Sequence, residues 1–279
     1  MNSVRTGLVS ISFRKLPPED IIRLVCQAGQ QGIEWGGDVH VPPGDVRRAE
    51  EVARLTREAG LHCAAYGSYY RLAETEKNPD FAAVLDAAQA LGAPTLRVWA
   101  GVKGSAETDP DQRKRIEDDA KRICALAAPR DIRIALEYHG NTLTDTPDSA
   151  AALLDAVPDL DSLWQPTNGK DEAYSADTLL RLLPRVSNVH VFHWGPRGWN
   201  DRHPLADGLE RWQHYFRILA QNPKPRWALL EFAKDDSPEQ YLQDAAVLHS
   251  ITSAFGLWKD RDIEGVTYQR QLRAEWPPT

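Results

Sequence analysis

Glu137 and His139 stand two residues apart at the end of an apolar run, Ile134-Ala135-Leu136, and the chain then breaks at Gly140-Asn141. Alternate side chains of a strand share a face, so this carboxylate and imidazole would leave the sheet on the same side. That combination suits proton transfer or metal ligation, and the glycine after it marks the mouth of a site. Three further apolar runs close on comparable groups: Gln165 in DSLWQP, His190 in SNVHVFHW and Glu231 in RWALLEF. Carboxylate, amide oxygen and imidazole together suit one divalent ion, Mn²⁺ first, with Mg²⁺, Co²⁺ or Zn²⁺ as alternatives, and not copper or an iron–sulfur cluster. With Val189 and Val191 facing a helical layer, His190 turns to the opposite face.

These groups need elements that bring them together. Eight apolar runs alternate with eight helical patterns at about one unit per 30 residues. The strands are expected at 7–13, 32–35, 61–66, 94–101, 132–139, 161–166, 187–194 and 226–232. The intervening helices are expected from Pro18 to a stop at Gly32, then at about 45–59, 80–91, 109–128, 147–156, 176–183, 209–221 and 238–253. This order predicts an α/β fold, a single (β/α)₈ barrel over residues 1–255. A C-terminal extension, 256–279, would pack on the barrel or on a neighbouring subunit. An open doubly wound sheet fits less well, because no strand is followed by GxGxxG or GxxxxGK[ST].

Composition narrows the partners. The chain of 279 residues carries 33 Lys and Arg against 40 Asp and Glu, a formal net charge of −7. An acidic protein is not drawn to a nucleic-acid backbone or an anionic membrane surface, so neither is expected as a partner. Cys26, Cys63 and Cys124 are odd in number and form no CxxC pair, which points to a reducing compartment without disulfides. With no apolar leader or membrane-length run, the expected location is the cytoplasm.

In a (β/α)₈ barrel the chemistry gathers where the strands end. Those ends offer Glu34, Trp35, Asp38 and His40 on strand two, Tyr66 on strand three, and Arg97, Trp99 and Lys103 on strand four. Later strands add His139, Asn168, His193 and Trp194, with Lys234 beyond strand eight. Trp35, Trp99, Trp164 and Trp194 could stack on the C–H face of a sugar. His203 and His40 stand in loops that could close over the site.

The segments GIEWGGDVHVP, RVWAG, ALEYH, WQPTN, NVHVFHWG and ALLEF resemble the xylose isomerase-like TIM barrels. This is the sugar phosphate isomerase/epimerase group, within the endonuclease IV-like superfamily, and the resemblance covers nearly the whole barrel. It implies a divalent-metal-dependent isomerase or epimerase of a monosaccharide or keto-sugar derivative, with Glu137 and Glu231 as the catalytic pair. One would remove a proton beside a carbonyl and the other return it, through a metal-stabilised enediolate. Glu137, Gln165, His190 and Glu231 would hold the metal. Trp35, His40, Tyr66, Arg97, Trp99, His139, Asn168, His193, Trp194 and Arg197 would meet the sugar substrate. A lyase, dehydratase or deglycosidase, on the same site is the first alternative, and a non-catalytic sugar-binding barrel the second. An endonuclease is disfavoured by the net charge. The family usually carries Asp where this chain has Gln165, which removes one ligand charge. Isomerase, epimerase and lyase remain unseparated at this level, and a homo-oligomer is compatible with every reading.

Overall fold

Short polar residues set the helix starts. Asp45 accepts the Arg48 N–H at 3.0 Å ahead of α2 (Val46–Glu58), and Asp80 accepts that of Ala82 ahead of α3 (Phe81–Leu91). Asp109 and Gln112 form a reciprocal capping box at α4 (Pro110–Ala127). Thr146 caps α5 (Pro147–Ala156), and Asp171 caps α6 (Glu172–Leu182), whose start thus lies four residues before the expected one. The remaining helices are α1 (Pro18–Gln27), α7 (Leu209–Ala220) and α8 (Pro238–Trp258).

The structure, a computed structural model, describes residues 4–258. Its strands are β1 (Val4–Val9), β2 (Gly32–Gly36), β3 (His62–Arg71), β4 (Thr95–Trp99), β5 (Arg133–Glu137), β6 (Leu160–Trp164), β7 (Val186–Val191) and β8 (Arg226–Leu230). Each pairs in parallel with the next, and β8 pairs with β1, closing an eight-stranded barrel inside the ring of helices. The fold is a single (β/α)₈ barrel. No described helix is long and apolar enough to cross a membrane. α8 runs past the expected barrel boundary at 255, and residues 259–279 of the expected extension lie outside the described residues.

Two strand expectations change. GLVSISF does not continue as a strand, since Ser10–Phe13 coils into a 3-10 turn. The two serines explain it: Ser10 Oγ accepts the Gly36 N–H at 2.9 Å, and Ser12 Oγ accepts the Phe232 N–H at 2.8 Å. Side-chain oxygens thus tie the end of β1 to both neighbouring strands where a ladder would have continued. β3 is longer than expected because, across an irregularity at Tyr69 in the segment 67–71, expected as a loop, pairing with β4 resumes at Arg71.

Apolar side chains fill two compartments. The larger lies between strands and helices, and the smaller, Val9, Ile11, Ala64, Trp227 and Leu229, lies inside the barrel. Trp227 needs Gly32 beside it: a Cβ there would lie 2.6 Å from the indole and 3.0 Å from the His62 carbonyl oxygen. Gly32→Ala is therefore expected to cost about 1–3 kcal/mol through overpacking. Equilibrium urea unfolding measures this, and an unchanged midpoint would show that the indole has room to move.

Candidate active site

The ends of β5, β7 and β8 bring three donors together. Glu137 closes β5, His190 lies on β7, and Glu231 comes directly after β8, held by its N–H to the Val191 carbonyl at 3.0 Å. One ligand atom from each lies within 4.8 Å of the others, and all three residues are buried. His190 Nδ1 sits 3.5 Å from Glu231 Oε2 and makes no hydrogen bond. Gln165, one residue past β6, is buried, and its Oε1 has no hydrogen-bond partner.

A fourth carboxyl completes the arrangement. Glu34, on β2, is fully buried; its Oε1 accepts Arg97 Nε at 2.7 Å, and its Oε2 lies 3.2 Å from His190 Nε2. Arg97, on β4, reaches the other way through Nη1 to Glu137 Oε2, and Trp99 Nε1 donates to that same oxygen. Burial would raise the Glu34 carboxyl, yet Arg97 and His190 outweigh it and hold the group at about 2. Glu137 is likewise lowered against its burial, chiefly by Arg97. Burial disfavours an imidazolium at His190, but Glu231 and Glu34 push it up to about 10.

This donor set fits a divalent cation. Three buried carboxylates, Glu34, Glu137 and Glu231, face the Arg97 guanidinium and the His190 imidazole, which leaves the cluster net negative. Two acceptor-capable atoms without partners, His190 Nδ1 and Gln165 Oε1, stand at the carboxylates or on the adjoining strand end, with Arg97 Nη2 as an unpartnered donor. Oxygen and imidazole donors of this kind suit Mn²⁺, Mg²⁺, Co²⁺ or Zn²⁺.

The substrate-facing expectations divide. Asn168, His193 and Trp194 line one cleft of about 380 Å³ over the β6–α6 and β7–α7 loops, together with His203, Lys170 and Arg211. Glu231 lines a small adjoining hollow with Phe192, His193 and His203, which also line the cleft. Trp194 stacks on Phe192 with centroids 3.7 Å apart.

Trp35 and Tyr66 do not join this group. Both are fully buried in the layer between strands and helices, and the Tyr66 hydroxyl donates to the Val41 carbonyl at 2.7 Å. The phase decides it: Glu34 takes the inward position on β2, so Trp35 must face out. His40 is locked by Ser10 Oγ at 3.0 Å and the Leu16 carbonyl at 3.2 Å.

Arg97 is 2 % exposed and bonds two carboxylates through Nε and Nη1, with Nη2 buried and unpartnered, so it stands behind the carboxylates and not on the cleft. Trp99 has its N–H on Glu137, with His139 stacked on the ring and the Arg71 guanidinium 3.7 Å from its centroid. Trp99 and His139 therefore roof Glu137. Arg197 is exposed and pairs with Asp201 at 3.0 Å. Glu34 is the residue that a reading of strand ends leaves without a role. The inward phase that singles out His190 also singles out Glu34, but the bond between them, 156 residues apart, has no sequence signal.

Arg97→Met would leave Glu34 and Glu137 buried without their shared cation. Breaking a buried pair in this way costs about 3–5 kcal/mol. Urea denaturation of the metal-free protein should show that loss. A change below about 1 kcal/mol would mean the carboxylates find water or a proton instead.

The comparisons with known proteins agree with this frame. A 3-dehydroshikimate dehydratase from Bacillus anthracis is 26 % identical over 204 residues, covering 67 % of this chain and 71 % of that protein. A crystal structure of a probable 3-DHS dehydratase from the same organism superposes with a TM-score of 0.73 at 20 % identity, over 88 % of this chain and 98 % of the other. A D-allulose 3-epimerase from Methylomonas, in complex with D-allulose, gives 0.69 at 15 % identity, over 91 % and 98 %. A Mycobacterium smegmatis protein of this fold, in complex with magnesium, gives 0.68 at 17 % identity, over 90 % and 97 %. The family model described as xylose isomerase-like TIM barrel matches residues 22–251, and the chain belongs to that family.

Proposed function

We propose that this chain is a divalent-metal-dependent isomerase or epimerase of a monosaccharide or keto-sugar derivative, working by proton transfer through an enediolate. The observation that carries it is the convergence of Glu137, His190 and Glu231, with the unpartnered Gln165 oxygen on the intervening strand end. Glu137, Gln165, His190 and Glu231 would hold the ion. When bound, it supplies a Lewis acid that lowers the cost of negative charge developing on a carbonyl oxygen.

The two carboxylates are unequal. Glu137 Oε2 receives both Arg97 and Trp99, which weakens it as a proton acceptor. Glu231 lies 3.5 Å from His190 and accepts no hydrogen bond of the kind that Arg97 and Trp99 give Glu137, and it lines a small hollow with His193 and His203, which also line the cleft. Glu231 is therefore the base that takes the proton from the carbon beside the carbonyl. Glu137 is the group that returns one on the opposite face where the product is an epimer. Trp194, on Phe192, offers a flat wall for the C–H face of the substrate, and Asn168 and His193 supply hydrogen bonds to its hydroxyls.

A lyase on the same site is the second reading, and that inequality favours it. Proton removal and then loss of a β-hydroxyl needs one base for the carbon-bound proton and a proton returned to the departing oxygen, which leaves as water, and the similar Bacillus anthracis protein is a dehydratase.

Incubation with D-allulose and with 3-dehydroshikimate in D₂O, monitored by NMR, separates the readings. Deuterium at the carbon beside the carbonyl, with all oxygens retained, supports the isomerase or epimerase. Loss of water supports the lyase. Glu231→Gln is expected to lower either rate by about 10²–10⁴-fold. Full activity in that variant would remove the assignment of the base.

Metal titration is independent of substrate. The wild-type chain is expected to bind one Mn²⁺, and Gln165→Asp to bind it about tenfold more tightly, because a carboxylate adds ligand charge. Absence of bound metal in both proteins would overturn the mechanism.

A further inference from the structure

Strands β2, β3 and β4 contribute no ligand to the candidate metal centre, yet Glu34 and Arg97 are among the most deeply buried polar residues of the barrel. Their bonds are specific. An ionised carboxylate only accepts hydrogen bonds, so Glu34 Oε2, 3.2 Å from His190 Nε2, requires the proton to be on that nitrogen. With Nε2 committed to Glu34, the nitrogen left to take a ligand is Nδ1, which lies 3.5 Å from Glu231 Oε2 and makes no hydrogen bond.

Arg97 keeps Glu34 in this state. Its Nε occupies Glu34 Oε1 at 2.7 Å, and its Nη1 occupies Glu137 Oε2, leaving the other Glu137 oxygen for a ligand bond. Gly67 on β3 makes the room, since a Cβ there would run into the Arg97 guanidinium and lie 3.0 Å from Glu34 Oε1.

From this geometry we infer that Glu34 is a positioning residue for a divalent cation. By holding the proton on His190 Nε2, with Arg97 as its counter-ion, it presents Nδ1 as the ligand atom. The role rests on the metal reading of the site and goes beyond the four ligands to name what orients one of them. A carboxylate behind a ligating histidine fixes its tautomer, and loss of such a group typically costs about 10–100-fold in affinity.

Glu34→Gln keeps the shape and spoils the pattern. If the amide oxygen faces His190, the amide NH₂ meets Arg97, donor against donor. If the amide turns, NH₂ donates to His190 Nε2 and drives the proton to Nδ1. Mn²⁺ titration of the full-length protein by calorimetry is expected to show a site weaker by about 10–100-fold in Glu34→Gln, and partial recovery in Glu34→Asp. Affinity within about twofold of wild type, with unchanged circular dichroism, overturns the role of Glu34 while the metal reading stands. A wild-type chain that binds no Mn²⁺ overturns both.

Should Glu34→Gln fail to fold, the wild type decides the matter. In ¹⁵N spectra of the Zn²⁺-loaded protein, His190 is expected to carry its proton on Nε2 and the metal on Nδ1. Metal on Nε2 overturns the inference.

Discussion

One guanidinium shared between two buried carboxylates governs the interior of this barrel. Arg97 bonds Glu34 on one side and Glu137 on the other, with all three side chains almost fully removed from water. Each charge alone would be too costly to bury, and none of the three has solvent to fall back on. Satisfied together, they fix one another's rotamers, and so they fix where the carboxylate of β5 and the imidazole of β7 point. With Glu231 added, the buried Glu137, His190 and Glu231 form a group that could hold a divalent cation.

The barrel divides its work around that network. Strands β5 to β8 end in the groups that would meet the ion, whereas β2 to β4 supply the scaffold behind them: Glu34, the glycine at 67, and Arg97. Trp99 belongs with the scaffold, because its N–H is on Glu137 and its ring lies under His139 and Arg71. The cleft is assembled separately, on the loops after β6 and β7. Family membership carries the fold, and the loops decide the substrate, which is why one barrel supports both epimerases and dehydratases.

The unequal hydrogen bonding of Glu137 and Glu231 gives that choice a physical handle. Two donors on Glu137 depress its basicity, while Glu231 lacks such donors and lines the small hollow beside the cleft. On the proposed function, proton removal would fall to one side of the substrate, and the product would depend on whether a leaving group stands next to the new double bond.

Local information made much of this legible from the chain alone. Alternating apolar runs, prolines in the first turns and Asp or Thr at the caps place eight strands and eight helices within a few residues of where they fold, because those signals act over three or four residues. The same signals bring out Glu137, Gln165, His190 and Glu231 as strand-end groups. They do not separate Trp35 and Tyr66, which pack outward, from Trp194, which reaches the cleft, since that depends on which residue of each strand takes the inward phase. The bonds of Glu34 to Arg97 and His190 span 63 and 156 residues, and Ser12 ties β1 to Phe232 across 220. Partners at such separations are chosen only when the barrel closes. Local chemistry along the chain settles the elements and the types of ligand; closure of the barrel decides which charges are buried together, and hence which nitrogen of His190 is left free.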